Sequence, residues 1–316
     1  MVRRVVTITG SSGYLGQLLR GGLEARGFEI APFDRFRGSL VTLLRGSYLG
    51  TSRSRAGIWR ARRLKRLLRR CESALAAAGV LRPSGDDILG PRESLVRRFR
   101  GSQAVIHLAA LAHPNVPGAS EADFLRLNYD GAVNVFEAAR EAGVRRFVFA
   151  SSAQVYAINS PKRIDGFPIL ESNYCPSRAE GQSAYGALKR EFEQYLEKAC
   201  AGGGELRAVA LRLECPGVRS RSPHNFYVST SIENTVAAFA RALDADLALG
   251  FDLFNVADAV VAPDVVDVQS FLRERWPDVP NHTRGNDCLL GTEKARRTLA
   301  YEPSANGTYF ELPVLW

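Results

Sequence analysis

Three glycines at a spacing of three, Gly10, Gly13 and Gly16, follow directly on the β-branched run Val5-Val6-Thr7-Ile8. They precede a stretch, Gln17 to Ala25, that carries Leu18, Leu19 and Leu23 at helical spacing. A strand that ends in glycines and reopens as a helix constrains the fold tightly. The turn follows a backbone path that side chains would block, and it leaves the first N–H groups of the helix without intrahelical partners. The alternation continues along the chain. Glu29 to Phe33, Gln103 to Ala109, Arg146 to Ala150, Glu205 to Leu213 and Phe251 to Val256 read as further strands, and Phe124 to Ala142 and Tyr185 to Cys200 as long helices. This predicts an α/β architecture, a Rossmann-like doubly wound parallel sheet covered on both faces.

Beyond Pro216 the pattern loosens, with Ile232 to Leu243 and Val265 to Arg275 as its helix candidates. The expected organisation is therefore a dinucleotide-binding domain over 1–211 and a small, mainly substrate-binding lobe over 212–316, with strand 251–256 returning to the sheet. At 316 residues and 46% hydrophobic content, the chain has enough apolar side chains for a large core. Its longest apolar runs, such as Ala104 to Ala112, fall well short of the roughly 20 residues a spanning helix needs. Met1 to Gly10 has neither the length nor the cleavage pattern of a signal peptide. The expected location is cytoplasmic. Five scattered cysteines, without a CxxC pair or histidines at ligand spacing, point away from a disulfide framework and from zinc.

The net charge of +9 has a local origin: twelve Lys or Arg and no acid lie between Arg35 and Arg70. They fall in an insertion at about 38–84, where 58–78 reads as a basic amphipathic helix. Such a helix docks on the protein with a solvated rim, contacts an anionic membrane surface peripherally, or meets another anionic partner such as nucleic acid. No aromatic platform interleaves the arginines, so specific nucleic-acid readout is not expected.

Three motifs carry chemistry. The glycine turn, with Ser12, Tyr14 and Leu15 between its glycines, offers backbone N–H groups and a helix N-terminus to a pyrophosphate. Asp34, closing the second strand 21 residues after Gly13, is placed to accept hydrogen bonds from an adenosine ribose. That acid favours NAD over NADP, although Arg35 beside it leaves NADP as an alternative. Tyr185 and Lys189 form a YxxxK pair on one helix face, and an ammonium beside a phenol favours the phenolate. Among ten tyrosines and five lysines such a pairing is a rare coincidence. Ser152 stands at the carboxyl end of the fourth strand, where doubly wound sheets place their ligands.

Together these motifs resemble the extended short-chain dehydrogenase/reductase superfamily, the group of NAD-dependent epimerases and dehydratases. The resemblance implies that Ser152, Tyr185 and Lys189 form a catalytic trio. It further implies that Asp87-Ile88 contacts adenine at a strand end, and that Leu108, Ala109 and Ala110 after His107, together with Asn128 and Pro216, line the cofactor. His107 itself, in an apolar strand, is expected to be structural. Leu111, His113, Ala153, Gln154, Glu214 and Arg219 are the substrate-side candidates. A homodimer through the two long helices is implied as well.

The chain departs from the family pattern in ways that bear on substrate. Ala153 and Gln154 stand where dehydratases carry acids, so 4,6-dehydration is not expected. Leu213-Glu214-Cys215-Pro216-Gly217 lacks the Asn and Tyr of the usual Asn-x-Tyr-Gly-Pro stretch, and His224 to Ser231 replaces the Arg and acids that serve a substrate diphosphate. The leading expectation is an NAD(P)-dependent oxidoreductase acting on a secondary alcohol or ketone of a small, non-nucleotide substrate, lipophilic or from secondary metabolism. A nucleotide-sugar epimerase is the alternative, and a non-catalytic dinucleotide sensor the third.

Overall fold

A computed structural model describes residues 4–35, 84–112, 119–157, 164–173, 175, 182–248, 250–305 and 307–310. Six strands form one sheet: β1 (Val5–Thr9), β2 (Glu29–Phe33), β3 (Ala104–His107), β4 (Arg146–Ser152), β5 (Arg207–Leu213) and β6 (Phe251–Val256). Every neighbouring pair is parallel and the order is β2-β1-β3-β4-β5-β6, the doubly wound arrangement. The helices are α1 (Tyr14–Glu24), α2 (Arg92–Phe99), α3 (Glu121–Phe124), α4 (Gly131–Glu141), α5 (Ala184–Cys200), α6 (Ile232–Asp244), α7 (Val268–Arg275) and α8 (Glu293–Leu299).

The strands alternate between two apolar layers because successive side chains point to opposite faces. Ile106, Val148, Val209 and Leu211 pack with Leu19, Leu23 and Phe239 under α1 and α6. Val105, Phe147, Phe149 and Ala210 pack with Phe99, Phe136, Phe192 and Leu196 under α2, α4 and α5. Each fully buried phenylalanine there contributes on the order of 2 kcal/mol. His107 lies inside this second layer, stacked on Phe147 and Phe149, with Nδ1 2.8 Å from the Thr9 hydroxyl. Burial first, and the nearby Lys189 second, lower it to about 3, so it is a neutral packing residue.

A third cluster builds the smaller lobe and draws on more than the C-terminal part of the chain. Val155, Tyr156, Ile164, Phe167 and Ile169 join Phe226, Trp276, Leu289 and Leu290. The segment after β4 thus belongs to the lobe's core.

The expected helix over Phe124 to Ala142 is interrupted. A capping box between Ser120 and Asp123 starts α3, and a π-helical turn, Leu125–Asp130, connects it to α4. That turn buries Asn128, whose amide donates to the Leu111 carbonyl at 3.1 Å and accepts from the Leu111 N–H at 2.7 Å. Asp87 leads into a turn that begins at Ile88, and the described residues just before them, 84–86, are not strand. The helix expected over 58–78 and the candidate His113 lie outside the described residues. No helix among the described residues is long and apolar enough to cross a membrane.

Candidate active site

The glycine turn and the β3 end form one wall. Gly10 has φ 72°, and a side chain at Gly16 would put its Cβ 2.4 Å from the Gly10 carbonyl, so the turn closes only on glycine. No side chain caps α1, which leaves its first N–H groups facing the turn. The buried Ser11 hydroxyl has no partner among the described residues. Asp34 Oδ2 accepts the Ser12 N–H at 3.0 Å, placing a buried carboxylate at the edge of the phosphate cradle. Arg35, exposed, reaches toward Asp87 at 3.9 Å. Thr9 Oγ1 accepts from the N–H groups of Leu108 and Ala109, holding the loop that continues to Ala110 and Leu111 against β1. Asn134 donates to the Ile88 and Gly90 carbonyls and pins the Asp87-Ile88 turn to α4. These donors, the acid at the ribose position and the glycine cradle fit a dinucleotide.

The second wall is built by β4, α5 and β5. The Ser183 hydroxyl caps α5 by accepting the Gly186 N–H at 3.1 Å, which sets Tyr185 in the first turn of the helix. Gly186 allows that turn to touch the loop after β4, since a Cβ there would lie 2.4 Å from the Gln154 carbonyl. Tyr185 packs with Phe124 and Leu188, against which Leu111 is partly buried. Ser152, also buried, accepts the Gln154 N–H at 3.2 Å and caps the short turn Ala153–Tyr156. Lys189 Nζ donates to the Ala150 carbonyl at 2.7 Å and sits 4.4 Å above the Phe149 ring and 5.6 Å from the Tyr185 ring centre.

The electrostatics differ from the expectation that Lys189 favours a phenolate. Burial, and then the charge of Glu214, push the Tyr185 phenol up, with a Ser152 hydrogen bond acting the other way. Lys189 is itself lowered to about 7 by burial, against the pull of Glu193. In this arrangement the ammonium is spent on a carbonyl and an aromatic face, and the tyrosine keeps its proton. Tyr14 bridges the two walls by donating to the Pro216 carbonyl at 2.8 Å. Arg219 lies 4.7 Å over the Tyr309 ring and within 3.5 Å of Asp264.

A buried network behind β4 and β5 escaped the sequence reading. Arg212 donates to both Glu193 carboxylate oxygens, at 2.9 and 2.7 Å, and to the Tyr156 hydroxyl at 2.7 Å. Ser151 donates to Glu193 at 2.6 Å, and Tyr156 donates to Asn255 at 2.7 Å. Two signals were present: Glu193 stands four residues after Lys189 on the same helix, and Arg212 interrupts the apolar run from Ala208 to Leu213. The network fixes α5 against β5 and so positions the Tyr185–Lys189 helix turn.

Known proteins share the family and the fold. A family model described as the NAD dependent epimerase/dehydratase family matches residues 6–282. A UDP-glucose 4-epimerase of Schizosaccharomyces pombe is 28% identical over 213 residues, 67% of this chain and 51% of that protein. A Stigmatella aurantiaca 4-hydroxy-2-methyl-3-oxo-4-farnesyl-3,4-dihydroquinoline-1-oxide ketoreductase is 30% identical over 202 residues, 62% of this chain and 46% of that protein. The chain thus spans about half the length of these curated relatives. Among solved structures, a Thermotoga maritima UDP-glucose 4-epimerase with UDP-glucose superposes with TM-score 0.61 at 17% identity, covering 95% of this chain and 93% of that one. MoeE5 with UDP-glucuronic acid and NAD superposes with TM-score 0.60 at 21% identity, covering 96% and 94%. These two support the fold. With its fold, glycine turn and family match in agreement, the chain belongs to the NAD-dependent epimerase/dehydratase family of extended short-chain dehydrogenases/reductases.

Proposed function

We propose that the protein transfers a hydride between NAD and a secondary carbinol carbon of a hydroxylated substrate, and that its cycle returns the hydride to the opposite face, an epimerisation. The observation that carries the hydride-transfer reading is the convergence of Ser152, Tyr185 and Lys189, all buried, beside the glycine turn at the carboxyl ends of the strands. NAD, when bound, supplies the hydride acceptor and donor. Ser152 orients the substrate oxygen through its hydroxyl. Tyr185 moves the proton on that oxygen: as the phenolate it receives the carbinol proton on oxidation, and as the resulting phenol it gives that proton back on reduction. Lys189, near its own neutral point, holds the ribose hydroxyls and exchanges the Ala150 carbonyl for them. The apolar packing of Phe124, Leu188 and Leu111 around the phenol keeps water from the reacting oxygen.

Epimerisation is favoured by the Schizosaccharomyces relative. A second reading, net reduction of a ketone, is favoured by two observations: Tyr185 is held in the proton-donating form, and the Stigmatella relative is a ketoreductase. A dimer through α4 and α5 belongs to the proposal, supported by the exposed Leu125 on the turn that leads into α4. The test is chromatographic. Wild-type protein given UDP-glucose should form UDP-galactose without net NADH, and Tyr185→Phe should not. Stoichiometric NADH consumption on a ketone panel, with no epimer formed, would select the second reading.

A further inference from the structure

Glu214 is the residue at which this chain differs most sharply from a neutral site. The register of the sheet sets Leu213 opposite Ser152, so Glu214 emerges beside the loop that carries Ala153 and Gln154. Cys215 then adopts a left-handed backbone, φ 43°, and turns the chain toward Pro216. Glu214 is 91% buried, being 9% exposed. One of its oxygens is spoken for: Oε1 accepts from the Asn225 amide at 3.4 Å and faces the Cys215 thiol at 3.7 Å. Asn225 is fixed in turn by the Ser220 hydroxyl on its Oδ1 at 2.5 Å. Oε2 has no hydrogen-bond partner among the described residues. A buried carboxylate oxygen without a partner costs free energy, and the charge of Glu214 acts on the Tyr185 phenol. Its natural complement is a hydrogen-bond donor brought in from outside.

We propose that Glu214 is a specificity-determining residue of the hydride-transfer site, whose free Oε2 accepts a hydrogen from a substrate hydroxymethyl group borne by the carbon next to the reacting one and whose charge excludes a carboxylate from that place. The inference rests on the hydride-transfer reading above and adds to it a class of substrate, neutral and bearing a hydroxymethyl group beside the reacting carbon. The groups that face Glu214 share its pocket without cancelling its charge. The Tyr185 phenol and the Cys215 thiol are both pushed up and stay protonated near neutral pH, and Gln154 and Asn225 are neutral amides. Lys189, on the same turn of α5 as Tyr185, is lowered to about 7 and gains charge as pH falls. Glu214 is raised to about 7, by burial above all, with the amides of Asn225 and Gln154 opposing. It is therefore charged at pH 8 and largely neutral at pH 6.

The experiment measures binding of two probes, UDP-glucose and UDP-glucuronate, to the NAD-loaded protein by calorimetry. They differ in one group, a CH2OH against a carboxylate, on the carbon beside the one that a 4-epimerase oxidises. At pH 8 the wild type should prefer UDP-glucose by about tenfold or more, and Glu214→Gln, which keeps the shape and removes the charge, should narrow that preference to about threefold or less. Between pH 8 and pH 6 the wild-type preference should shrink toward that of the variant. Whatever pH dependence persists in Glu214→Gln is the share of Lys189, and it should be the smaller part. The wild-type pH series needs no variant and stands if Glu214→Gln folds poorly. Measurable but equal binding of the two probes at pH 8, or an undiminished preference in the variant, overturns the inference and leaves the hydride-transfer reading in place. Binding of NAD without binding of either probe overturns the nucleotide-sugar form of that reading and this inference with it.

Discussion

Two buried glutamates lie on either side of the same helix-strand junction, and their surroundings drive them in opposite directions. Glu193 is fully enclosed, yet Arg212, Ser151 and Arg190 outweigh the cost of burial and hold it below the usual carboxylate range. Glu214, just beyond β5, meets neutral amides, a thiol and the Tyr185 phenol among the described residues, and burial raises it to about 7. Burial alone thus predicts neither charge state nor role. A matched guanidinium makes the first carboxylate a structural anchor, and the lack of one makes the second a group whose charge is open to ligand and pH. The region behind β4 and β5 is saturated with hydrogen bonds, whereas the region in front of them keeps an acceptor in reserve.

The largest effect should come from breaking the saturated side. Arg212→Met leaves the buried Glu193 with only Ser151 and the longer Arg190 contact and should cost about 4 kcal/mol in urea unfolding. Replacing Arg212 and Glu193 together by apolar residues should recover most of that loss. Equal losses in the single and double variants would show that the ion pair is not the anchor.

Next in size is the glycine cradle. Gly16→Val places side-chain atoms against the Gly10 carbonyl and should cost about 3 kcal/mol together with NAD binding, read by thermal unfolding and by bound dinucleotide.

On the unsaturated side the effect should be smaller and of the opposite sign. The folded-state value of Glu214 lies above its ordinary one, so the unfolded chain ionises first as pH rises from about 4.5 to 7 and stability is lost across that window. Glu214→Gln should remove this loss, gaining up to about 3 kcal/mol at pH 8 and about 1 kcal/mol or less at pH 5. A pH-independent difference would contradict the assignment. Smallest of all is the exposed Arg219–Asp264 pair, where Arg219→Ala should change stability by about 0.5 kcal/mol or less.

Much of this frame was legible in the residues. Strands β2 and β6 begin and end where their apolar runs do, and the glycine spacing located the dinucleotide turn. Tyr185 and Lys189 stand on the first turns of one helix, as their i, i+4 spacing requires. What was missed depended on partners distant in sequence. The π-helical turn before α4 exists because Asn128 docks on Leu111, and no local residue announces it. Helix α2 went unremarked because Leu95, Val96 and Phe99 are its only buried side chains among arginines. The Tyr185 phenol is pushed up and not down for the same reason. A YxxxK spacing shows the lysine but not the Ala150 carbonyl that engages it, nor the Glu214 carboxylate that faces the phenol.

The central claim is that this fold binds NAD and cycles a hydride through it beside Tyr185. Its most direct test is to denature freshly purified wild-type protein, identify the released dinucleotide by mass spectrometry, and follow its exchange against labelled NAD. With Asp34 at the ribose edge and Arg35 turned to Asp87, the account predicts near-stoichiometric NAD that exchanges slowly, as an epimerising cycle that regenerates its own cofactor requires. Rapid exchange would move the assignment to the ketone-reducing reading. Release of NADP, or a protein that neither carries nor takes up a dinucleotide, would contradict the account.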